Sequence, residues 1–555
     1  MGSYNVGGPT AFPHSACPFA LAPRSPGYGF PRSGRQLGKT GLEINYLPTY
    51  IYNNACMSGI RRQSLISSAV IYVGFAVGLF NIYLFTKQGI FEKEQFGLYN
   101  AFIAVALTMS AFSGLAMPVY LIKFFPYYQS HRGNKNEQFS LALSVSLIGF
   151  GLIALMGYAG KDLVIQKYGT NAPDLITHYS WLFPLGLGMT LYSLLEAWAW
   201  NFQKSVFTNL LKELIWRLYV TALILSFAAG WIDFNEFVQI FSLSYLFIAT
   251  VLYIYLFGSG KLRFHFEVSR LTKRLRKIIV RLCLFIFCGM AVLQLSMVFD
   301  SLVIASVLQG AMAQLAIYSL AQNMAAVIQA PQRGLISATI PKLSLAWKEK
   351  NMSEIQRIYQ RSSINQLIFA AGILSLFALD FQEGIEVVGL QSSYQSAFPV
   401  VILLGMARLV DMGTGLNTQI LQTSTKWRFE FISGIVLLLV MLPCSYWLTK
   451  SYGIQGAAGA QLIAITIYNL IRIVFLWKKF QLFPFTWRSF WVIVIGSLSY
   501  GIAHWTTHTL SGWVALLSQS VLFILLYAIG VYHMNLSPDI KPVWQAIQKK
   551  ITGKA

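Results

Sequence analysis

Charge is what this chain has least of. Only 11% of its 555 residues are Asp, Glu, Lys or Arg, less than half of the roughly 25% carried by a soluble globular chain. Acidic residues are the scarcest: 20 Asp and Glu stand against 42 Lys and Arg, for a formal net charge of +22. Such a balance can signal nucleic acid, but a nucleic-acid binder concentrates its cations on a solvated domain. Here they fall between apolar stretches, which excludes that partner and favours anionic lipid headgroups. Cysteine is equally sparse. The five present (Cys17, Cys56, Cys283, Cys288 and Cys444) form no CxxC pair and no Cys/His cluster, so neither a metal site nor a disulfide framework is supported. There is no secretory h-region, and no connection is long enough to hold a soluble catalytic domain.

What is abundant is apolar sequence. The chain is 55% hydrophobic with a mean hydropathy of +0.56, and from Ser64 to residue 533 about fourteen runs are long enough to cross a bilayer as helices. Lys and Arg collect in alternate connections. One set holds only Lys87, Lys93, Lys161, Lys167 and Lys450; the other set and the tails hold roughly thirty, the asymmetry of a chain whose basic loops stay in the cytoplasm. The fold class expected is an all-α polytopic membrane protein with both termini cytoplasmic.

The organisation expected has five parts. Residues 1–56, rich in Pro, Gly, Ser and Arg, read as a disordered tail, with Met57 as an alternative true start. Residues 57–260 hold spans one to six, and 261–278 form a basic amphipathic linker. Residues 279–480 hold spans seven to twelve, and 481–555 the last two spans and a tail. The two six-span lobes echo each other. Gln95-Phe96-Gly97-Leu98-Tyr99 matches Gln314-Leu315-Ala316-Ile317-Tyr318 at 318 − 99 = 219 residues, and Asn81 matches Asp300 at 300 − 81 = 219. Six spans per copy is an even number, so the copies run parallel, an arrangement that puts a transporter's site between them.

Ionisable residues inside spans are costly, and each is read first as functional. Asp300 is a cavity candidate for a cation, a proton or sugar hydroxyls, with Asn81 at the matching place. Arg408 and Asp411, three residues apart in span ten, either neutralise each other or present Arg408 to a phosphate, steadied by Asp411. Glu213 and Arg217, four apart in span five, have the order of an intrahelical pair; they too are carried as cavity candidates. Glu196 and Arg472 lie near span ends, where snorkelling accounts for them. No cofactor is implied beyond proton or sodium coupling.

Tyr452-Gly453-Ile454-Gln455-Gly456-Ala457-Ala458-Gly459-Ala460 is a tight turn feeding a helix of small residues. With Arg61-Arg62-Gln63-Ser64, Phe96-Gly97-Leu98-Tyr99-Asn100, and Asp300 followed by Ile317-Tyr318-Ser319-Leu320-Ala321, it resembles the polysaccharide (O-antigen type) flippases. These belong to the multidrug/oligosaccharidyl-lipid/polysaccharide exporter superfamily. The resemblance covers residues 57 to 535. It implies a two-lobed bundle of twelve helices plus two, in a bacterial inner membrane. Its cavity would turn a lipid-pyrophosphate-linked oligosaccharide between leaflets by alternating access, for lipopolysaccharide or other surface glycan, beside polymerase machinery. Competing expectations are a multidrug or cation antiporter, which needs a carboxylate-rich cavity, and a peptidoglycan-precursor flippase. A membrane glycosyltransferase or ligase using Glu92 and Glu94 is the distant one, so the chain is not expected to be an enzyme.

Overall fold

The computed structural model describes residues 70–129, 135–426 and 428–539, apart from the side chains of residues 135, 333, 334, 337, 338 and 341. The expected tail, Met57 and Arg61 to Ser64 lie outside the described residues. The bundle is helical: α1 (Val70–Thr86), α2 (Lys93–Ser113), α3 (Met117–Gln129), α4 (Lys135–Ala159), α5 (Leu182–Trp200), α6 (205–228) and α7 (Phe234–Gly258). There follow α8 (Arg270–Val307), α9 (Ala311–Ile328), α10 (Ala330–Lys348), α11 (Met352–Val387), α12 (Phe398–Gly413), α13 (Asn417–Thr423), α14 (Arg428–Phe480), α15 (Trp487–Thr507) and α16 (Gly512–His533).

Among the described residues nine helices are long and apolar enough to cross a membrane, fewer than the fourteen runs counted in the sequence. Part of the difference is how runs become helices. The second run is divided into α2 and α3 where Leu115 and Ala116 take positive φ. The eleventh and twelfth are joined in α14, a 53-residue element with non-helical backbone at Gly453 (φ 62°, ψ −143°). That glycine is a turn. Arg472 Nε donates to Ser433 Oγ at 2.9 Å, whereas residues 39 apart in one straight helix would be separated by about 58 Å. α14 is therefore a hairpin. A Cβ on Gly456 would lie 1.9 Å from the Leu448 carbonyl oxygen, so only glycine fits at that position of the hairpin.

The 219-residue echo has a structural counterpart. α2 and α9, which carry its two copies, pack extensively on each other. The approach is closest at Gly97, where a Cβ would stand 1.8 Å from the Met312 carbonyl oxygen. Polar ties repeat as well. Asn81 joins α1 to α6 through Thr221 and the Arg217 carbonyl, and Asp300 joins α8 to α14 through Ser445.

The end of the bundle that carries few lysines is stitched shut by main chain. The Gln88 N–H donates to the Gly389 carbonyl and the Gln391 N–H to the Thr86 carbonyl. Gln391 Nε2 also reaches the Phe91 carbonyl, and Asn171 bonds both Ser306 and Ala311. At the basic end, the segment 259–269 is strapped to the first half of the chain. Glu137 Oε1 accepts from the Ser269 N–H and the Thr272 hydroxyl, and Trp198 Nε1 donates to the Lys261 carbonyl. The expected amphipathic linker does not end at residue 278: Ser269 caps α8, which runs without a break into the seventh span.

Gly97→Val is expected to push α2 from α9 and loosen the lysine-poor end. A cysteine placed at Gln391 should then label faster with a membrane-impermeant maleimide than in the parent; equal labelling would contradict the tight approach.

Candidate functional site

α6 is not a uniform α-helix. Residues Leu210–Ile215 form a π-helical turn, an irregularity found mostly at functional sites. In a regular helix residues five apart diverge by about 140° round the axis, which would split Lys212 from Arg217. Here Lys212, Glu213, Trp216 and Arg217 all line one cavity. α1 comes against this turn where it has no side chain, since a Cβ on Gly74 would lie 2.1 Å from the Glu213 carbonyl oxygen.

The cavity, about 800 Å³ including open solvent, lies between helices from both halves of the sequence. α2 contributes Asn100, α5 Met189, α7 Tyr245, α8 Met297 and Ser301, and α9 Ser319 and Asn323. Its wall is mixed: one ion pair, one further ammonium, small polar groups and two aromatic rings, Trp216 and Tyr245, 5.1 Å apart. Trp216 is fixed by its Nε1 donating to Ser244.

The sequence-predicted residues separate into three places. Glu213 and Arg217 do pair, Nη2 to Oε2 at 2.8 Å, and they also line the cavity. Arg217 is held at both Nη groups, since its Nη1 donates to the Gly74 carbonyl at 2.7 Å, and it is only 3% exposed. Asn81 and Asp300 are buried in helix contacts and are not on the cavity wall. Asn81 Nδ2 donates to the Arg217 carbonyl and its Oδ1 accepts from Thr221; Asp300 accepts from Tyr318 at 2.9 Å and Ser445 at 2.7 Å.

Arg408 and Asp411 do not form an ion pair among the described residues. Three positions apart on a helix they diverge by about 60°. Asp411 turns to Gln329 and Asn469, within a network that includes Thr414 and Asn417. Arg408 lies within electrostatic reach of Asp300, and its buried Nε has no hydrogen-bond partner among the described residues.

The snorkelling expected of Arg472 is corrected. It is 1% exposed, donates to Ser433 and Thr418 and lies 3.8 Å over the Tyr468 ring, because the α14 hairpin encloses it. Glu196 does not snorkel either: it faces Lys212 at 3.6 Å. Lys212 itself was missed, although the rule that singled out Glu213 applies equally to a lysine inside the same span. At the basic end of the bundle stand Lys204, 6.0 Å from the Tyr255 ring centroid, and Lys261, 5.9 Å from that of Phe202. Burial and the Lys204 ammonium beside it lower the Lys261 ammonium from its usual range.

Sequence comparison now meets this geometry. Residues 61–347, just over half of the chain, match the family of polysaccharide biosynthesis proteins. The chain belongs to that family. No curated protein matches it. The fold of this family member is similar to that of a lipid II flippase MurJ in an inward closed conformation. The TM-score is 0.66 at 16% identity, over 85% of this chain and 99% of that one. It is similar also to an inward-facing multidrug resistance MATE family transporter of the MOP superfamily, with a TM-score of 0.59 at 13% identity, over 75% and 98% of the chains. A MATE protein in complex with MaL6 follows at 0.53 and 14%, over 76% and 96%. These neighbours in fold are transporters and flippases rather than enzymes, and this family member is a multi-pass membrane protein.

Arg217→Met is expected to strand the Glu213 carboxylate and destabilise the protein by about 3–5 kcal/mol, the cost of breaking a buried pair. Replacing Glu213 by Leu in the same chain should recover most of it. Thermal unfolding in detergent measures both, and an Arg217→Met protein as stable as the parent would refute the assignment.

Proposed function

We propose that this protein carries a lipid-pyrophosphate-linked oligosaccharide across the bacterial cytoplasmic membrane by alternating access, for synthesis of a surface polysaccharide. The observation that carries the reading is the cavity between helices of the two sequence halves, next to a lysine-poor end held shut by main-chain bonds. In this reading the carrier opens toward the basic side, and residues 70–258 and 279–480 act as parallel lobes. The basic end is cytoplasmic, where Lys and Arg collect, and anionic headgroups surround it. Ser301, Ser319, Asn100 and Asn323 offer groups for sugar hydroxyls, and Trp216 and Tyr245 offer faces for rings.

A drug or cation antiporter is disfavoured by the same wall. Among the described residues Glu213 is the wall's carboxylate, and it is committed to Arg217 rather than to an organic cation. Arg408 enters as a second cationic position. Its buried Nε, without a hydrogen-bond partner among the described residues, is an expensive arrangement, relieved when a phosphate comes within reach.

Deleting the gene should remove surface glycan and leave the lipid-linked oligosaccharide on the cytoplasmic leaflet. Arg408→Ala should reproduce the loss with the protein still present at parental level. Normal glycan in both strains would overturn the proposal.

A further inference from the structure

We propose that Glu196 is a resting counter-ion, holding Lys212 until a pyrophosphate group takes its place. The inference rests on the transport reading above and adds a phosphate position and the device that keeps it vacant between cycles. Of the cations on the cavity wall, Arg217 is neutralised at 2.8 Å by Glu213 and held by Gly74. Lys212 is different. Its side chain is 31% exposed and its one ion-pair partner among the described residues is Glu196, at 3.6 Å. An ammonium has three N–H donors, so this contact neutralises Lys212 without saturating it.

Position supports the exchange. Lys212 lies seven residues beyond Ser205, the first residue of α6, hence about 10 Å up the helix from the basic end. Lys204 and Lys261 stand at that end. A pyrophosphate headgroup leaving the adjacent leaflet meets those two ammoniums first and Lys212 next.

Release is built into the same contacts. The Glu196 side chain is 12% exposed, so once the pyrophosphate holds Lys212 its carboxylate is left poorly solvated and without its cation. That cost draws the ammonium back and keeps binding weak enough for transit. Glu196 is not on the cavity wall, so it competes for Lys212 without occupying the sugar's space.

The test uses the purified full-length protein in detergent, with geranylgeranyl pyrophosphate as probe and geranylgeraniol as control. Lys212→Gln should weaken pyrophosphate binding about tenfold or more, the loss of one charge-assisted contact. Glu196→Gln should tighten it several-fold and slow transport. In the double variant Lys212→Gln/Glu196→Gln the tightening should vanish. The charge-swapped pair Lys212→Glu/Glu196→Lys should recover the parental melting temperature but not the binding.

Three outcomes would overturn the exchange while leaving the transport reading intact: unchanged or weaker binding by Glu196→Gln, tightening that persists without Lys212, or binding restored by the swap. A parent protein that distinguishes neither probe from the other would overturn both.

Discussion

A polar group carried into the apolar interior of a membrane bundle has to be answered by another helix, because no water is there to answer it. Most of this architecture follows from that requirement. Asn81 binds α1 to α6, Asp300 binds α8 to α9 and α14, and Arg472 holds the two arms of the α14 hairpin together. Each such tie is specific in a way apolar contact is not. The lipid tails compete equally well for a leucine, so in a bilayer the polar pairs and the close contacts of small residues decide which helices meet.

Against that background, incomplete satisfaction stands out. Among the described residues Lys212 has one long ion-pair contact and Arg408 a buried Nε without a hydrogen-bond partner. They lie in different places, one on the cavity wall and the other near Asp300. Both are cations, and in a chain with so few acids the local shortage of carboxylates is itself a device. It leaves positive charge that a passing anion can use. The π turn belongs to the same logic, since it brings the charged residues of α6 to one wall at the expense of regular helix geometry.

How much of this could be read from the chain varies by residue. The membrane class follows from apolar runs and sparse charge, properties that do not depend on neighbours. The 219-residue echo was read as two parallel lobes; that its two copies, α2 and α9, pack on each other was not legible from it. Glu213 and Arg217 were legible as a pair because four residues is one turn. Arg408 and Asp411 were not: the spacing permits a pair, but Gln329 and Asn469, distant in sequence, draw Asp411 away. Arg472 looked like an interfacial residue because its depth was judged along one helix. The hairpin that buries it is a property of two.

By itself, then, the sequence determined what each stretch can do alone: cross a bilayer, bear charge at one end, turn at Gly453, repeat after 219 residues. These rest on local hydropathy, backbone freedom and spacing. Only the tertiary structure decided which side chains share a cavity, which cations are already spent, and that Lys212 faces Glu196. Those outcomes depend on helix rotation and on close approaches such as Gly97 to Met312 and Gly74 to Glu213. Rotation about a helix axis is set by every neighbour at once, so no single stretch of sequence encodes it.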